Sequence, residues 1–457
     1  MWKRKRYAHV GIGGRAAFFY EAVVGAYRET SELVAFCDVN QTRMDYANRR
    51  LQEKFPEFRP VPTYKAEAFE QMILETKPDV VIVTTIDRAH HTYIIRALEL
   101  GCDVITEKPM TIDEEKCQQI LDAVRETGRN VRVTFNYRYS AHATKIRELI
   151  RDGVIGDVLQ VNFQWLLDTR HGADYFRRWH RDKRNSGGLL VHKSTHHFDL
   201  VNFWLATEPK RVFAMGDLLF YGKENAEKRG VTKFYQRAYG NGNAQDDPFA
   251  LHLDRSPSLK AMYLDAEHED GYQRDQSVFG DGISIEDTMS VLVQYKNKAI
   301  LNYSLHAYSP WEGQMVAFNG TKGRIQLHVG EKSYVNAGGK QSDEGAAKVR
   351  QIFVQPIQGE PYEVPLEHAA GGHGGADPIL LEDLFGTPQD DPLRRSASHI
   401  DGAMSILTGI AGNISLRTGQ ASNVQRSRQN RPSDCARAVF VSRFIPLECE
   451  SFDPAAT

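Results

Sequence analysis

A chain of 457 residues is long enough for two domains, and its 41% hydrophobic and 25% charged residues are ordinary values for a globular protein. The formal net charge of −2 provides no global field for nucleic acid or a membrane surface, and we expect neither as a partner. Five cysteines, odd in number and without CxxC spacing, indicate a reducing compartment and argue against a disulfide framework or a zinc site. Because no apolar run is long enough to span a bilayer, we expect a cytoplasmic enzyme.

The first 130 residues alternate strand and helix signals, which is the pattern of a parallel α/β sheet. Short apolar runs predict the strands, and runs with helical periodicity between them predict the helices. The predicted strands are Tyr7–Val10, Leu33–Cys37, Val80–Thr85, Asp103–Thr106 and Val131–Phe135. The predicted helices are Ala16–Tyr27, Gln41–Lys54, Tyr93–Leu100 and Glu114–Thr127.

Residues 131–423 have a different character. Period-two alternation predicts an α+β domain with a large, mostly antiparallel open sheet. Within it, residues 223–282 form a long polar segment, called the insertion below, for which we expect a lid or a subunit contact. Residues 424–457 are predicted to be an irregular tail. The predicted strands are Val158–Leu166, Val212–Phe220, Met289–Tyr295, Ala299–Leu305 and Val316–Asn319.

A glycine-rich turn joins the first predicted strand to the first helix. Its sequence, GIGGRA, fits the dinucleotide-binding pattern GxGxxA, in which glycines permit a tight turn and the close approach of a pyrophosphate. Asp38 ends the second strand, where a carboxylate accepts hydrogen bonds from ribose hydroxyls and repels a 2′-phosphate. We therefore expect a Rossmann domain over residues 1–130 that prefers NAD to NADP, although Arg43 lies close enough in sequence to bind such a phosphate. The turn residues predicted to bind the cofactor are Gly11, Gly13, Gly14, Arg15 and Ala16.

Lys108 follows the strand Asp103–Thr106, at the edge where open α/β sheets bind ligands. A desolvated lysine there can hold a substrate hydroxyl or carbonyl. Farther along, the segment GGLLVHKSTHHFD predicts a helix on which His192 and His196 share one face. Zinc is disfavoured because Lys193 stands where HExxH has its glutamate, so we expect no metal. Acid–base catalysis fits better, since histidine titrates near neutral pH, and a core role for either histidine is the alternative.

Taken together, these motifs resemble those of the Gfo/Idh/MocA family of nicotinamide-dependent oxidoreductases, over most of the chain. The element Glu107-Lys108-Pro109 is the most specific one. The resemblance implies NAD(P) in the first domain, and sugars, inositols or their derivatives on the face of the second sheet. It also implies that Lys108 and His196 flank the reacting carbon, and that the protein is a homodimer or homotetramer formed through the outer sheet face. The residues implied along the cofactor, beyond the turn and Asp38, are Thr84, Thr85, His90, Glu107 and Asn136. The other matching elements are Asp87, Tyr137-Arg138, Asp199, residues 372–377 and the helix Asp401–Leu416.

One position departs from the family pattern, because many members carry Asp-x-x-x-His where this chain has His192 to His196. The changed charge beside the carbinol means that the family's acid–base roles cannot be transferred whole. His192 is predicted to be catalytic together with Lys108 and His196, and a simple hydrogen bond to substrate is its alternative role.

Residues 168–184 are rich in arginine and aromatic side chains and lead directly into the histidine segment. Arginine binds carboxylate, phosphate or sulfonate groups bidentately, and Trp179 could stack on a pyranose face. This composition favours an anionic sugar. A solvated helix face is the alternative, and the balanced overall charge argues against nucleic acid. The residues predicted to bind substrate are Lys108, Tyr137, Arg138, Arg177, Arg178, Trp179, Lys193 and His197.

The expected reaction is hydride transfer at a carbinol carbon of a sugar or sugar derivative. Some members of the resembled family are glycoside hydrolases, among them sulfoquinovosidases, which oxidise a hydroxyl, eliminate the aglycone, add water and return the hydride with retained NAD. The several titratable groups around His192 and His196 keep this hydrolase as the alternative. A non-catalytic NAD-binding regulator is a third hypothesis, which the presence of Lys108 and His196 disfavours.

Overall fold

The structure, a computed structural model, describes residues 4–331, 347–366 and 372–424. The strands of the first sheet are β1 (Lys5–Val10), β2 (Ser31–Asp38), β3 (Thr63–Lys65), β4 (Val80–Val83), β5 (Asp103–Thr106) and β6 (Val131–Val133). They are parallel and lie in the order β3-β2-β1-β4-β5-β6. The helices between them are α1 (Ala17–Val24), α2 (Gln41–Lys54), α3 (Phe69–Thr76), α4 (His90–Glu99) and α5 (Glu114–Thr127).

The predicted parallel α/β architecture of the first part is confirmed. All four residues of β4 are buried, as expected for a strand covered by helices on both faces. The helix predicted over Ala16–Tyr27 is shorter, because α1 ends at Val24 and Gly25 follows as its C-cap. Two elements were not predicted, β3 and α3. The three residues of β3 are only partly buried and carry no periodic signal.

The second sheet is larger and mixed. Its strands are β7 (Val158–Asp168), β8 (Pro209–Asp217), β9 (Thr288–Tyr295), β10 (Ile300–Ser309), β11 (Glu312–Gly320), β12 (Gly323–Glu331), β13 (Ala347–Pro356), β14 (Tyr362–Val364) and β15 (Ser422–Asn423). They lie in the order β14-β13-β12-β11-β7-β10-β9-β8-β15. Among the described strand pairs of this second sheet, β7–β10 is parallel and the others are antiparallel, so the predicted, mostly antiparallel sheet is confirmed.

One long helix packs against both sheets. The helices that follow β6 are α6 (Ala141–Arg151), α7 (Thr169–Arg177), α8 (Lys183–Ser186), α9 (Leu189–His192), α10 (Ser194–Leu205), α11 (Lys223–Lys228), α12 (Pro257–Leu259), α13 (Glu267–Asp270), α14 (Gly372–Phe385) and α15 (His399–Thr418). α15 packs its Met404 and Leu407 into the core of the first sheet and its Ala411 into the core of the second. A Cβ at Gly409 would lie 2.1 Å from the carbonyl oxygen of Leu190, so only glycine permits this close approach.

The helix predicted through the histidine segment is broken. α9 ends at His192 and α10 begins at Ser194, with Lys193 between them. His192 and His196 therefore lie on different helices, although the backbone of Lys193 stays in the helical region.

Arg138 was predicted to bind substrate, and the structure does not support that role. Its guanidinium donates to both oxygens of Asp199, at 2.7 and 2.5 Å. It also donates to Asp401 at 2.9 Å, and only 2% of its side chain is exposed. Arg138 therefore holds α10 and α15 together, and removing one partner of such a buried pair typically costs about 3–5 kcal/mol.

The predicted tail, residues 424–457, lies outside the described residues apart from Val424. The backbone N–H of Val424 donates to the carbonyl of Lys210 at 2.9 Å and continues the pairing of β15 with β8. Among the described helices, none combines the length and the apolar character needed to cross a bilayer.

Candidate active site

The turn between β1 and α1 is shaped for a close backbone approach. Gly11 has a φ of +85°, and a Cβ there would lie 2.5 Å from the backbone nitrogen of Thr85, so only glycine fits. A Cβ at Gly13 would meet no described atom within 4 Å. This glycine therefore borders open space beside the N-terminus of α1, where helix N–H groups and the helix dipole favour a phosphate. Both features fit the pyrophosphate of a dinucleotide.

Asp38 lies at the carboxyl end of β2, and its carboxylate braces the glycine turn. Oδ2 accepts a hydrogen bond from the backbone N–H of Ile12, and Oδ1 accepts one from Asn40 at 2.9 Å. Burial raises the pKa of Asp38, and the charge of nearby Arg43 counteracts that rise. The carboxylate stands at the position that contacts ribose hydroxyls in dinucleotide-binding folds.

Part of the insertion packs against this same edge of the first sheet. The hydroxyl of Tyr263 accepts a hydrogen bond from the backbone N–H of Gly14 at 3.0 Å. The carboxylate of Glu269 accepts from the N–H groups of Gln41 and Thr42, each at 2.7 Å, at the start of α2. The insertion was expected to be a lid or a subunit contact, and the structure places this part of it on the glycine turn of its own chain.

Three residues predicted along the cofactor follow β4, Thr84 and Thr85 in the loop and His90 at the start of α4. The hydroxyl of Thr84 donates to the carbonyl of Gly11 at 2.5 Å, so the loop is tied to the glycine turn, and Thr85 lies beside it. His90 is buried, with its ring nitrogens 2.8 Å from the carbonyl oxygen of Pro109 and 3.0 Å from that of Thr85. His90 therefore links two loops, and its ring nitrogens are both occupied by backbone.

Glu107 and Asn136 differ in how their polar atoms are used. Glu107 accepts a hydrogen bond from Arg15 at 2.7 Å. Burial opposes its ionisation, but Arg15 and Lys108 outweigh burial and lower the pKa of Glu107. Asn136 donates to Asp377 at 3.0 Å, whereas its buried Oδ1 has no hydrogen-bond partner among the described residues. An unpaired buried acceptor is costly, so this atom fits a donor on a bound molecule such as a carboxamide.

A series of three titratable side chains connects the two sheets. Nζ of Lys108 lies 3.4 Å from Nε2 of His192 and donates to the His192 carbonyl at 3.3 Å. Nδ1 of His192 lies 2.5 Å from Oδ2 of Asp87. We assign the tautomer in which Nδ1–H donates to Asp87, because Nε2 then accepts from Lys108. Lys108 follows β5 and Asp87 follows β4, so the first sheet supplies two of the three groups.

Burial sets the protonation of this series. It lowers the pKa of Lys108 to about 8, against the opposing effect of Glu107 and Asp87. It lowers the pKa of His192 well below its usual value, and the charge of Lys108 adds to the shift. It also raises the pKa of Asp87 well above its usual value. A lysine with a pKa near 8 can give and take a proton at physiological pH, as a general acid–base group must.

A second group of predicted residues lies beside the first. The rings of Tyr137 and His196 stack with their centroids 4.4 Å apart. Lys193 donates to the hydroxyl of Tyr137 at 3.1 Å, and its Nζ lies 4.8 Å from the ring centroid of Trp165. Lys193 follows His192 directly in the chain, and with Tyr137, Trp165 and His196 it forms a mixed aromatic and cationic wall.

His197 was predicted to contact substrate, and its position argues against that role. Its side chain is fully buried, with Nδ1 2.6 Å from the hydroxyl of Tyr303. Its ring stacks on Trp165 with centroids 4.2 Å apart. His197 therefore supports the aromatic wall from within the core.

The arginine-rich segment is not a solvated helix face. Arg177 and Asp174 are buried, and Arg177 donates to the carbonyl of Phe249 in the insertion at 2.7 Å. Trp179 stacks on His180 with centroids 3.5 Å apart. The ring of His180 in turn lies edge-on to His192 at 4.2 Å. The segment thus reaches the Lys108 series, as its place in the sequence suggested.

A further hydrogen-bonded series was missed by the sequence analysis. Nδ1 of His171 lies 2.7 Å from Glu312, and its Nε2 lies 2.9 Å from the hydroxyl of Tyr175. The ring of Tyr175 is 5.4 Å from that of His192. Glu312 is 141 residues from His171, so no local signal pointed to it. Within the described ranges, no group of three or more histidine, cysteine, aspartate or glutamate side chains is arranged to hold a metal ion.

The sequence matches two family descriptions of the Gfo/Idh/MocA oxidoreductases. Residues 5–135 match the oxidoreductase family, NAD-binding Rossmann fold. Residues 147–425 match the oxidoreductase family, C-terminal alpha/beta domain.

Three curated relatives share parts of the sequence. YteT of Bacillus subtilis, a protein named as an oxidoreductase, is 37% identical over 418 residues, which cover 89% of this chain and 94% of that protein. D-glucoside 3-dehydrogenase of Escherichia coli is 29% identical over 44% of this chain and 54% of its own length. A glycosyl hydrolase family 109 protein of Shewanella putrefaciens is 26% identical over 82% of this chain and 74% of its own length.

Among solved structures, an oxidoreductase from Agrobacterium radiobacter in complex with NAD+, L-tartaric acid and magnesium aligns with a TM-score of 0.58. The alignment covers 92% of this chain and 99% of that one at 14% identity, so it supports the fold alone.

Lys108 is expected to titrate near pH 8 in the folded protein, because burial disfavours its charged form. With isotopically labelled lysine, the Cε resonance of one residue should shift with that midpoint, well below the ordinary value of about 10.4. Lys108→Arg should remove this resonance, whereas Lys193→Arg should keep it. If every lysine resonance titrates at the ordinary value, the assignment of Lys108 is wrong.

Proposed function

Since this chain belongs to the Gfo/Idh/MocA oxidoreductase family, we propose that it is an NAD-dependent enzyme that transfers hydride at a carbinol carbon of a sugar or sugar derivative. The observation that carries the proposal is the series Lys108–His192–Asp87, in which His192 and Asp87 are buried and Lys108 is half-buried. Such a series can remove the proton of a hydroxyl while the hydride leaves the same carbon.

The chemistry follows from the protonation of Lys108. Above a pH of about 8 the amine of Lys108 is neutral, so it can accept the proton of a substrate hydroxyl. As the O–H bond breaks, a carbonyl forms and the C–H electron pair departs as hydride. A nicotinamide bound over the glycine turn would supply the hydride acceptor. His192 holds the Lys108 amine in place, and its Nδ1–H bond to Asp87 fixes the orientation of the imidazole.

Tyr137, His196 and Trp179 are the other side chains that we propose to contact the sugar. Tyr137 and His196 form a stacked pair, and Trp179 stacks on His180. Aromatic surfaces of this kind bury the apolar face of a pyranose, while Lys193 and His196 offer polar groups to its hydroxyls.

We propose NAD as the cofactor in preference to NADP. Asp38 is joined at the start of α2 by two carboxylates of the insertion, Glu269 and Asp270. Arg43, the residue suited to a 2′-phosphate, is held 2.6 Å from Asp270 and donates to the Met262 carbonyl at 3.1 Å. The carboxylates of Asp38, Glu269 and Asp270 disfavour a further phosphate, and Arg43 already pairs with Asp270 and the Met262 carbonyl.

The second candidate function is that of a redox-neutral glycoside hydrolase, on a sugar glycoside that is acidic, such as a sulfoquinovoside. Oxidation of a hydroxyl acidifies the neighbouring C–H, so that a base can remove its proton and the aglycone can leave. Water then adds, and the hydride returns to the carbonyl. The series Glu312–His171–Tyr175 favours this candidate, because it places a second acid–base group near His192. The insertion, which covers the glycine turn through Tyr263, would help to retain the cofactor between these steps.

We also propose that copies of the chain associate through the outer face of the second sheet. That face carries exposed apolar side chains on several neighbouring strands, which is unusual for a monomer. Native mass spectrometry measures the subunit number, and a monomer at working concentration would contradict this assembly. The exposed apolar side chains are Leu159, Met215, Leu292, Ile300 and Met315.

An aryl glycoside assay separates the two candidates. The purified protein with NAD is mixed with neutral and acidic nitrophenyl glycosides and with the corresponding sugars. A dehydrogenase produces NADH in proportion to substrate, whereas the hydrolase releases nitrophenol without accumulating NADH. Lys108→Met should slow either reaction by about two to four orders of magnitude. If the variant retains full activity, or if neither product forms with any substrate of the panel, the proposed function is wrong.

Equilibrium binding of NAD and NADP tests the cofactor proposal. The wild-type protein should bind NAD more tightly. Asp270→Asn should narrow this preference about tenfold, since it releases Arg43 and removes a repulsive charge. Glu267→Gln is the matched control, because Glu267 lies in the same helix but pairs with Arg237 at 2.6 Å. A tighter affinity of the wild type for NADP would overturn the proposal.

A further inference from the structure

We infer that Arg178 and Arg274 form a subsite for an oxyanion of the substrate, a carboxylate, sulfate or phosphate group. The inference rests on the proposed function, because it assigns the substrate class of the same site. Arg178 follows α7, and Arg274 belongs to the insertion, so two distant parts of the chain build the subsite.

Asp174 is shared by the guanidinium groups around it. Its Oδ2 lies 2.9 Å from Nη1 of Arg178 and 3.6 Å from Nη2 of Arg274. Its Oδ1 lies 3.7 Å from Nη1 of Arg177. Although burial opposes ionisation, Arg274 and Arg178 hold the pKa of Asp174 well below its usual range. Arg274 therefore makes a long contact to a carboxylate that already pairs at short distance with Arg178.

Arg274 and its neighbour Tyr272 bury polar atoms that the chain does not satisfy. The side chain of Arg274 is 4% exposed, and its Nε has no hydrogen-bond partner among the described residues. The buried hydroxyl of Tyr272 likewise has no partner among them. Buried donors are rarely left unpaired without a reason, and a bound oxyanion accepts hydrogen bonds from both kinds of group.

The subsite lies between the glycine turn and the Lys108 series. The guanidinium of Arg274 lies 4.7 Å from the ring centroid of Tyr263, whose hydroxyl contacts Gly14. Arg178 directly precedes Trp179, which stacks on His180 beside the His192 ring. An anion held there would fix the orientation of a sugar whose carbinol faces Lys108.

Two sources of oxyanion share this chemistry, the substrate and the pyrophosphate of the dinucleotide. The position of Arg178 next to the aromatic residues Trp179 and His180 favours the substrate. The N-terminus of α1 and the glycine turn already offer backbone groups to the pyrophosphate. We therefore expect that Arg178 and Arg274 can bind an oxyanion of the substrate while NAD is bound.

Thermal unfolding with sulfate as the probe distinguishes the two sources. The midpoint is compared in sodium sulfate and in sodium chloride of equal ionic strength, with saturating NAD and without it. For the NAD-saturated wild type we expect a higher unfolding midpoint in sulfate than in chloride. In Arg274→Gln the part of this difference that comes from specific binding should be lost. Arg184→Gln is the matched control, since Arg184 lies in the same arginine-rich segment, is exposed and pairs with Asp182. General stabilisation by sulfate affects all three proteins alike and cancels in the comparison.

If NAD abolishes the rise of the unfolding midpoint in sulfate, the arginine pair belongs to the cofactor phosphates and the inference is wrong. It is also wrong if the wild type shows no larger rise than Arg274→Gln. If Arg274→Gln does not fold, calorimetry of the NAD-saturated wild type decides, with D-glucuronate and D-glucose as a matched pair. We expect glucuronate to bind about tenfold more tightly, and equal affinities would overturn the inference. Neither measurement requires turnover, so a negative activity assay with a positive sulfate response would reject the proposed reaction and keep the anion subsite.

Discussion

The burial of the Lys108 amine against His192 is the interaction on which the account of this molecule depends. An ammonium group removed from water is unstable unless carboxylates compensate it, and Glu107 and Asp87 lie close enough to do so. The two carboxylates offset the cost of burial only in part, so the pKa of the Lys108 amine is lowered to about 8. Because His192 belongs to the second part of the chain and Lys108 to the first, the same contact also joins these two parts.

The insertion also contacts both parts of the chain. Through Glu269 and Tyr263 it contacts the start of α2 and the glycine turn, and through Arg274 it reaches the arginine-rich segment. One segment thus joins the glycine turn, which we propose for the cofactor, to the arginine-rich segment, which we propose for the substrate.

Sequence reasoning predicted features that depend on contiguous residues. The glycine turn, Asp38 at the end of β2 and Lys108 after β5 each follow from a strand, a turn and a helix in order. Features made by distant residues were not predictable in this way. The hydrogen bond of His192 to Asp87 joins positions 105 residues apart, and that of Tyr263 to Gly14 joins positions 249 residues apart. The same holds for Arg138 and His197, polar side chains whose partners lie on other helices and strands.

The most direct test of the central claim is to follow the hydride itself. An aryl glycoside deuterated at its carbinol carbons is incubated with the protein and NAD under single-turnover conditions, and the recovered nicotinamide is examined by mass spectrometry. We expect deuterium on the nicotinamide with the wild-type protein and little or none with Lys108→Met. Cleavage or oxidation of the sugar without any label on the nicotinamide, or equal labelling by the variant, would contradict it.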